Sequence, residues 1–559
     1  MRARSRNGTR SVGAVAALAL LAGACAPDAP DDAGADDDDG DVVADAEDPD
    51  DADDDTEEPD EVDDAEETAE AAGDDEIVVV TAEDPPTLEA PYGYSATTGV
   101  VLRNIQEPLV GRDRESGEFV GLLATDWEAV DDTTWRFELR EGIDFHDGSP
   151  FNAEAAAHAL NISWSEDFVD GPLLGFKGPD FEAVAVDEYT LDVELESPDP
   201  ILPNRLWMSP IFSQEHFEQE GEDAWREEPI GTGPYEFVSW DRGQSIEIEL
   251  NDDWWGHDDP EAAGGEATIE RATYLIRGDQ QSRVAAVQAG EAHLAERLPA
   301  DQCLNDLGDA CLDAPNIDIA HIRIDTMNPL LSDIRIREAM AVAIDREAIG
   351  DELLPGPPAR MLVPDGATGY NEDIPIFDFD PDRARELVEE AEADGAPVDQ
   401  TINLRVEREK FPGINEVAQA IQAMWQDVGL TVDFEVVDSA LFLEELIDPP
   451  RPIDEDRGWV VLHQHSNRLA DFHGTATSWY QCEAPISTWC DEEFDALTDE
   501  AGGLTGDERH ELLAEAAMVA HEDIPFIPVV EMGLFHGVSD ELEWETRADT
   551  NVYLKDMSL

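Results

Sequence analysis

The sequence predicts an α/β fold built from two or three domains, and three observations carry that reading. "VAQAIQAMWQDVGLTVDFEVV" places Val417, Ile421, Met424, Trp425 and Val428 on one helical face, breaks at Gly429, and resumes as a strand through Val432, Phe434 and Val436. A helix, a glycine and a strand in that order make an α/β unit. "TTWRFELR" sets Trp135, Phe137 and Leu139 against Arg136, Glu138 and Arg140, the alternation of a half-buried strand; "YTLDVELESP" and "SIEIEL" alternate likewise. Finally, the 483 residues beyond Glu76 exceed what one hydrophobic core supports.

The chain opens with Arg2, Arg4, Arg6 and Arg10, followed by the apolar segment "SVGAVAALALLAGA". A basic region, a short apolar run and small residues before a cut read as an export signal over residues 1–24. That run is too short to span a bilayer comfortably, and no later stretch reaches the ~18 apolar residues a span needs. "AGA" before Cys25 suits ordinary signal peptidase and also resembles a bacterial lipobox, in which Cys25 becomes the acylated N-terminus. The other four cysteines form two pairs of equal spacing, Cys303/Cys311 and Cys482/Cys490, which read as two short disulfide loops in an exported protein and leave Cys25 over. Pairing of Cys303 with Cys482 or Cys490 is equally open to the sequence. Zinc is disfavoured, because C-x₇-C lacks the usual short ligand spacing.

Residues 25–76 are expected to be a linker. From Asp28 to Glu76 there are 28 Asp and Glu and no Lys or Arg, so the segment buries too little apolar surface to fold and is extended by self-repulsion. Its reach runs from roughly 40 Å as a coil to about 160 Å fully stretched. A tether is the functional reading; a solubilising or calcium-absorbing tail is the alternative, without any EF-hand pattern. Beyond residue 76 the remaining 106 acidic side chains face 29 basic ones, a net charge of about −77, and the whole chain has three lysines, Lys177, Lys410 and Lys555. Repulsion of that size predicts a protein of salt-rich surroundings. It also excludes nucleic acid as a partner, since nothing would neutralise the phosphates.

Further elements follow in order. "FHDGSPFNAE" is a turn through Asp147-Gly148 and then a helix capped by Asn152. In "GTGPY" Gly231 and Gly233 free the backbone before Pro234 starts an extended segment. "IRIREAMAVAIDREAI" stacks Ile336, Met340, Ile344 and Ala348 on one helix face, and "DPDRAREL" opens a helix with Asp380 as cap and Pro381 first.

The blocks "NIQEPLVGRDRESGEFVGLLATDWEAVDDTTWRFELREGIDFHDGSPFNAE", "PIGTGPYEFVSWDRGQSIEIELNDDWWG", "RVAAVQAGEAHLA", "SDIRIREAMAVAIDREAI" and "IPFIPVV" occur in that order across residues 77–559. Together they resemble the family 5 extracellular solute-binding proteins, the oligopeptide-, dipeptide- and nickel-binding components of ABC importers. The resemblance implies a two-lobed, type II periplasmic-binding-protein-like fold with a hinge and an extra subdomain inserted in the first lobe. The first lobe would comprise 77–107, 231–318 and 534–559, the insertion 108–230 and the second lobe 319–533. The chain would cross between lobes near "IAHIRID" and "VVEMGLF". The relatives' third helical residue after the Asn152 cap is usually acidic; here it is Ala155.

In peptide-binding members an aspartate of the second lobe, within a stretch like W-x-A-D-Y, receives the peptide's α-ammonium. The matching stretch is "VVLHQHSNRLADFHGTATSW", which implies Asp471 in that role although the usual tryptophan is absent. Glu107 stands where the first-lobe strand edge faces ligand, and Tyr92 and Tyr94 could form an aromatic wall. His463, His465 and His473 invite a metal hypothesis, against which no second cluster is present, so no metal and no cofactor are expected. The expected protein is a monomeric, lipid-anchored receptor on the outer face of the cell membrane, taking a solute, foremost a peptide, to an ABC permease and ATPase. A nickel or other metal chelate or an oligosaccharide is the alternative cargo. A ligand sensor or chaperone on the same fold is a different class. A secreted hydrolase has least support, since neither H-E-x-x-H nor G-x-S-x-G occurs.

Overall fold

A computed structural model describes residues 76–93, 95–165, 178–314, 316–408, 410–438, 441–442, 458–484 and 486–559. Cys25, the export signal, the acidic tract and Tyr94 lie outside the described residues.

Two α/β lobes each form around one sheet. The first sheet has seven strands in the order Cys311–Ala314, Leu534–Val538, Leu294–Leu298, Glu76–Thr81, Arg271–Ile276, Ser245–Leu250, Tyr235–Asp241. Glu76–Thr81 runs parallel to both of its neighbours and the other pairings are antiparallel. The second has five, in the order Val432–Val437, Ile402–Glu407, Trp459–Ser466, Asp318–Ile324, Phe526–Glu531. Its first three strands are mutually parallel, and the last two close it antiparallel. Between the first two segments of the seven-stranded sheet, the chain builds a separate antiparallel sheet, Ala124–Asp131, Thr134–Leu139, Thr190–Leu195 and Phe181–Ala185.

Periodicity accounts for most of these elements. Phe137 and Leu139, Leu191 and Val193, and Ile246 and Ile248 are buried, while the intervening acidic residues face outward, as period-2 patterning requires. The helix Ile414–Asp427 buries Val417, Ile421 and Trp425 completely, and the Trp425 indole donates to the Met340 carbonyl at 2.9 Å. Gly429 (φ +99°) then reverses the chain, with the Leu430 N–H donating to the Trp425 carbonyl. Asn152 accepts from the N–H groups of Glu154 and Ala155, and Asp380 from that of Arg383 with Pro381 first in the helix.

Two readings need correction. The helix expected through Ile336, Met340, Ile344 and Ala348 is two helices, Ile334–Val342 and Arg346–Glu352. Asp345 caps the second by accepting from the Ala348 N–H. The restart changes the phase, so Ile349 is buried in place of Ala348. Arg346 fills the break, donating to the carbonyls of Ala341, Ile344, Phe377 and Pro528. In "GTGPY" neither glycine has a left-handed φ. A Cβ on Gly231 or Gly233 would lie 2.2 or 2.6 Å from the Ile105 carbonyl oxygen, so close approach to the first-lobe helix excludes a side chain.

The chain passes between the two sheets twice, before Asp318 and again through Met532-Gly533. A third segment lies alongside: the N–H groups of Glu531 and Gly533 donate to Pro357 and Pro355, and that of Ala359 donates to Val529. Gly356 (φ +151°) permits this packing, since a Cβ there would fall 1.8 Å from the Glu531 carbonyl oxygen. Both cysteine pairs are closed as Cys303–Cys311 and Cys482–Cys490. Among the described residues no helix is long and apolar enough to cross a membrane.

Candidate functional site

The parallel strands Ile402–Glu407 and Trp459–Ser466 point their carboxyl ends at a cavity of about 650 Å³, the place where open α/β sheets bind ligands. Lys410 follows the first strand, and His463, His465 and the loop from Asn467 follow from the second. Gly178 and Arg205 of the inserted sheet's surroundings form the opposite wall. The insertion touches the second lobe here: the Asn204 amide donates to the Leu469 carbonyl at 2.8 Å, and Leu469 is buried with Ile201, Trp207 and Met208.

The loop after Ser466 is held by side-chain hydrogen bonds. Asn467 receives the Asp471 N–H at 3.0 Å and donates its amide to the Asp471 carbonyl and the Thr475 hydroxyl, both at 2.9 Å. Ala470 takes φ +50°, a conformation costly for a side chain. It is fixed by backbone bonds from Thr368 to Ala470 and from Phe472 back to Thr368. Asp471 then caps the short helix Phe472–Thr475 by accepting from the His473 N–H at 2.8 Å.

Asp471 borders the cavity but is only 1 % exposed. The Arg509 guanidinium donates to both carboxylate oxygens, at 2.8 and 2.9 Å. That pair is bidentate and buried on both sides. Sequence reasoning located the aspartate and missed the arginine, which lies in the helix Gly506–Asp523 with no local signal connecting the two.

Glu107 is buried within the first lobe. Its carboxylate accepts from the Thr232 hydroxyl (2.9 Å) and from the indoles of Trp254 (3.3 Å) and Trp255 (2.8 Å). Burial raises its pKa, opposed by Lys555 and these donors. The expectation that Glu107 faces ligand is therefore corrected: the tryptophans of "DDWWG" turn it inward. Tyr92 is half-buried at the end of the turn Ala90–Tyr92.

The three histidines singled out in the sequence divide. His463 and His465 line the cavity beside Trp479, whose ring lies 4.9 Å from that of His465. His473 packs instead against Gly502. In its place stands His321, paired opposite His463 in the neighbouring strand and fully buried. Its Nδ1 lies 3.3 Å from the Ile319 carbonyl, its Nε2 has no partner, and its ring centroid is 6.1 Å from His463 and 6.4 Å from His465. Burial depresses all three, His465 to about 3, which favours their neutral forms. Among the described residues no group of three or more His, Cys, Asp or Glu is arranged to hold a metal ion.

Two lobes, each on its own sheet and joined by crossing segments, with a polar cavity at the strand ends, define a ligand-binding architecture. The sequence model of the bacterial extracellular solute-binding proteins, family 5 (middle), matches residues 118–465, and the chain belongs to that family. It is 24 % identical to the dipeptide-binding protein of Escherichia coli (strain K12), over 82 % of this chain and 89 % of that one. It is 25 % identical to heme-binding protein A of Haemophilus influenzae, over 79 % and 86 %. HbpA2 from Haemophilus parasuis superposes with a TM-score of 0.73 at 22 % identity, covering 87 % of this chain and 99 % of that one.

Proposed function

We propose that this chain is a receptor, not an enzyme, that captures a peptide in the cavity between the insertion and the second lobe and presents it to an ABC permease and ATPase. The observation that carries the reading is a cavity of about 650 Å³ at the strand ends, in a chain whose family match covers residues 118–465 and whose alignment to a dipeptide-binding relative covers 82 % of it. A ligand touching both walls is fully contacted only when they are together, so binding shifts the population toward closure. With Cys303 bonded to Cys311 and Cys482 to Cys490, Cys25 is the remaining cysteine, which supports its lipidation. The acidic tract then spaces the receptor from an anionic membrane on the outer face of the cell and keeps it near its permease. A metal chelate such as haem is the second reading, favoured by the histidine-lined wall and the heme-binding relative.

Mass spectrometry of whatever the purified chain releases on denaturation tests this directly. Peptides of a narrow length range are the expected result. A nickel or haem species, or an oligosaccharide, would overturn the peptide assignment.

A further inference from the structure

Charge is distributed around the cavity against the composition of the chain. Beyond residue 76, 29 basic side chains stand among 106 acidic ones, roughly one charged group in five. Among the described residues, four charged side chains line the cavity, Arg205, Lys410, Arg468 and Asp471, and three of them are basic. They come from separate parts of the fold: Arg205 from the insertion, Lys410 from the end of one parallel strand, Arg468 from the loop after another. Two are held in place from behind, Arg205 by Asp199 at 2.6 Å and Lys410 by Glu407 at 3.1 Å, with Glu407 also 3.6 Å from His463.

Asp471, the acidic group among those four, does not offset them toward a ligand. Both Asp471 oxygens are taken by Arg509, and Oδ1 also by the His473 N–H. An incoming ammonium would have to break a buried bidentate pair and leave the Arg509 guanidinium unpaired, which is strongly unfavourable. A carboxylate entering the same space meets Arg468, together with Arg205 and Lys410, each of the last two oriented by one carboxylate and with further N–H donors to offer.

We infer that this cavity selects acidic peptides, binding their carboxylates through Arg468, Lys410 and Arg205, and that the peptide's amino terminus is not recognised by a carboxylate. Asp471 is then a positioning residue that caps Phe472–Thr475 and anchors Arg509. The inference rests on the peptide reading above.

Calorimetry on the full chain in molar salt separates the two. The probes are tri- and pentapeptides of alanine with one central Glu, Lys or Ala, each with a free and an acetylated amino terminus. Glu peptides are expected to bind at least tenfold more tightly than Lys peptides, with acetylation changing Kd less than threefold. Arg468→Gln should remove most of that Glu-over-Lys preference. A loss of thirtyfold or more on acetylation, or equal affinity for Glu and Lys peptides, would overturn the inference and leave the peptide reading standing. No binding of any probe by folded chain would overturn both.

Discussion

At the scale of single residues, Asp471 and Arg509 show how a buried charge is made tolerable. Each is nearly inaccessible, 1 % and 2 % exposed, so each is stable only because the other is present. Removing one partner should cost about 3–5 kcal/mol. Asp471→Asn and Arg509→Gln are therefore expected to lower the denaturant midpoint severely, and the double variant no more than the worse single one. Strict additivity in that cycle would refute the pair's coupling. The position of Asp471 was legible in "LADFH", because the stretch resembles a known motif. Its pairing with Arg509 was not, because that partner lies 38 residues away and nothing local announces it. Glu107 was misread for the same reason: Trp254 and Trp255, far along the chain, decide which way the carboxylate points.

Among the elements, the abundant aspartates have structural work beyond their charge. Asp259, Asp279, Asp333, Asp345, Asp380, Asp471 and Asp491 each accept a backbone N–H at a helix start, satisfying donors the helix cannot and complementing its dipole. Where the signal was a cap followed by proline, as at Asp380, the boundary was readable. At Asp345 the apolar spacing ran straight through the cap and disguised a break. The Cys482–Cys490 loop supports the cavity from outside. It begins three residues beyond Trp479, and it grips the second sheet through Arg323, which donates to the Ile486 carbonyl at 2.6 Å, and through Thr488, whose carbonyl receives the Thr326 hydroxyl at 2.6 Å. Replacing both cysteines with serine is expected to cost about 2–3 kcal/mol from loop entropy and to weaken ligand binding roughly tenfold as the Gly474–Trp479 wall loosens. Unchanged affinity, measured by calorimetry, would show that the wall stands without the loop.

For the molecule as a whole, pH and salt should act through different groups. Nine of the twelve histidines are held below their ordinary pKa, with burial the leading cause in each, His146 to about 4 and His465 and His536 to about 3. The unfolded chain protonates near 6.5, so their contribution is complete above that pH and lost as pH falls toward the folded values. For His465 and His536, held far below the unfolded value, the slope should approach about 1.4 kcal/mol per pH unit each within that window. Glu107 and Glu296, raised by burial, act in the opposite sense, so the test compares single variants. His536→Asn should flatten the profile of denaturant midpoint against pH between 6.5 and 5, and a slope identical to the parent would refute the assignment. Separately, a folded region near −77 should gain thermal stability between 0.1 and 2 M salt as repulsion is screened. A midpoint indifferent to salt would exclude that. The two-lobed class was readable from ordered blocks, but the strand order was not, because it depends on which distant segments pair.

Because Leu534–Val538 lies between Cys311–Ala314 and Leu294–Leu298, the first lobe is a sheet that a newly made chain completes last. A chain emerging N-terminus first holds every strand of the second lobe once Phe526–Glu531 is out, while the first, begun by Glu76–Thr81, still lacks an interior strand. Contacts that span the whole sequence form slowly, and unpaired strand edges invite wrong partners meanwhile. In that interval Cys311–Ala314 has no strand beside it, and the bond to Cys303 keeps it folded back on a short loop. The seven-stranded sheet is thus finished by Leu534–Val538, sliding between two strands that have been waiting for it.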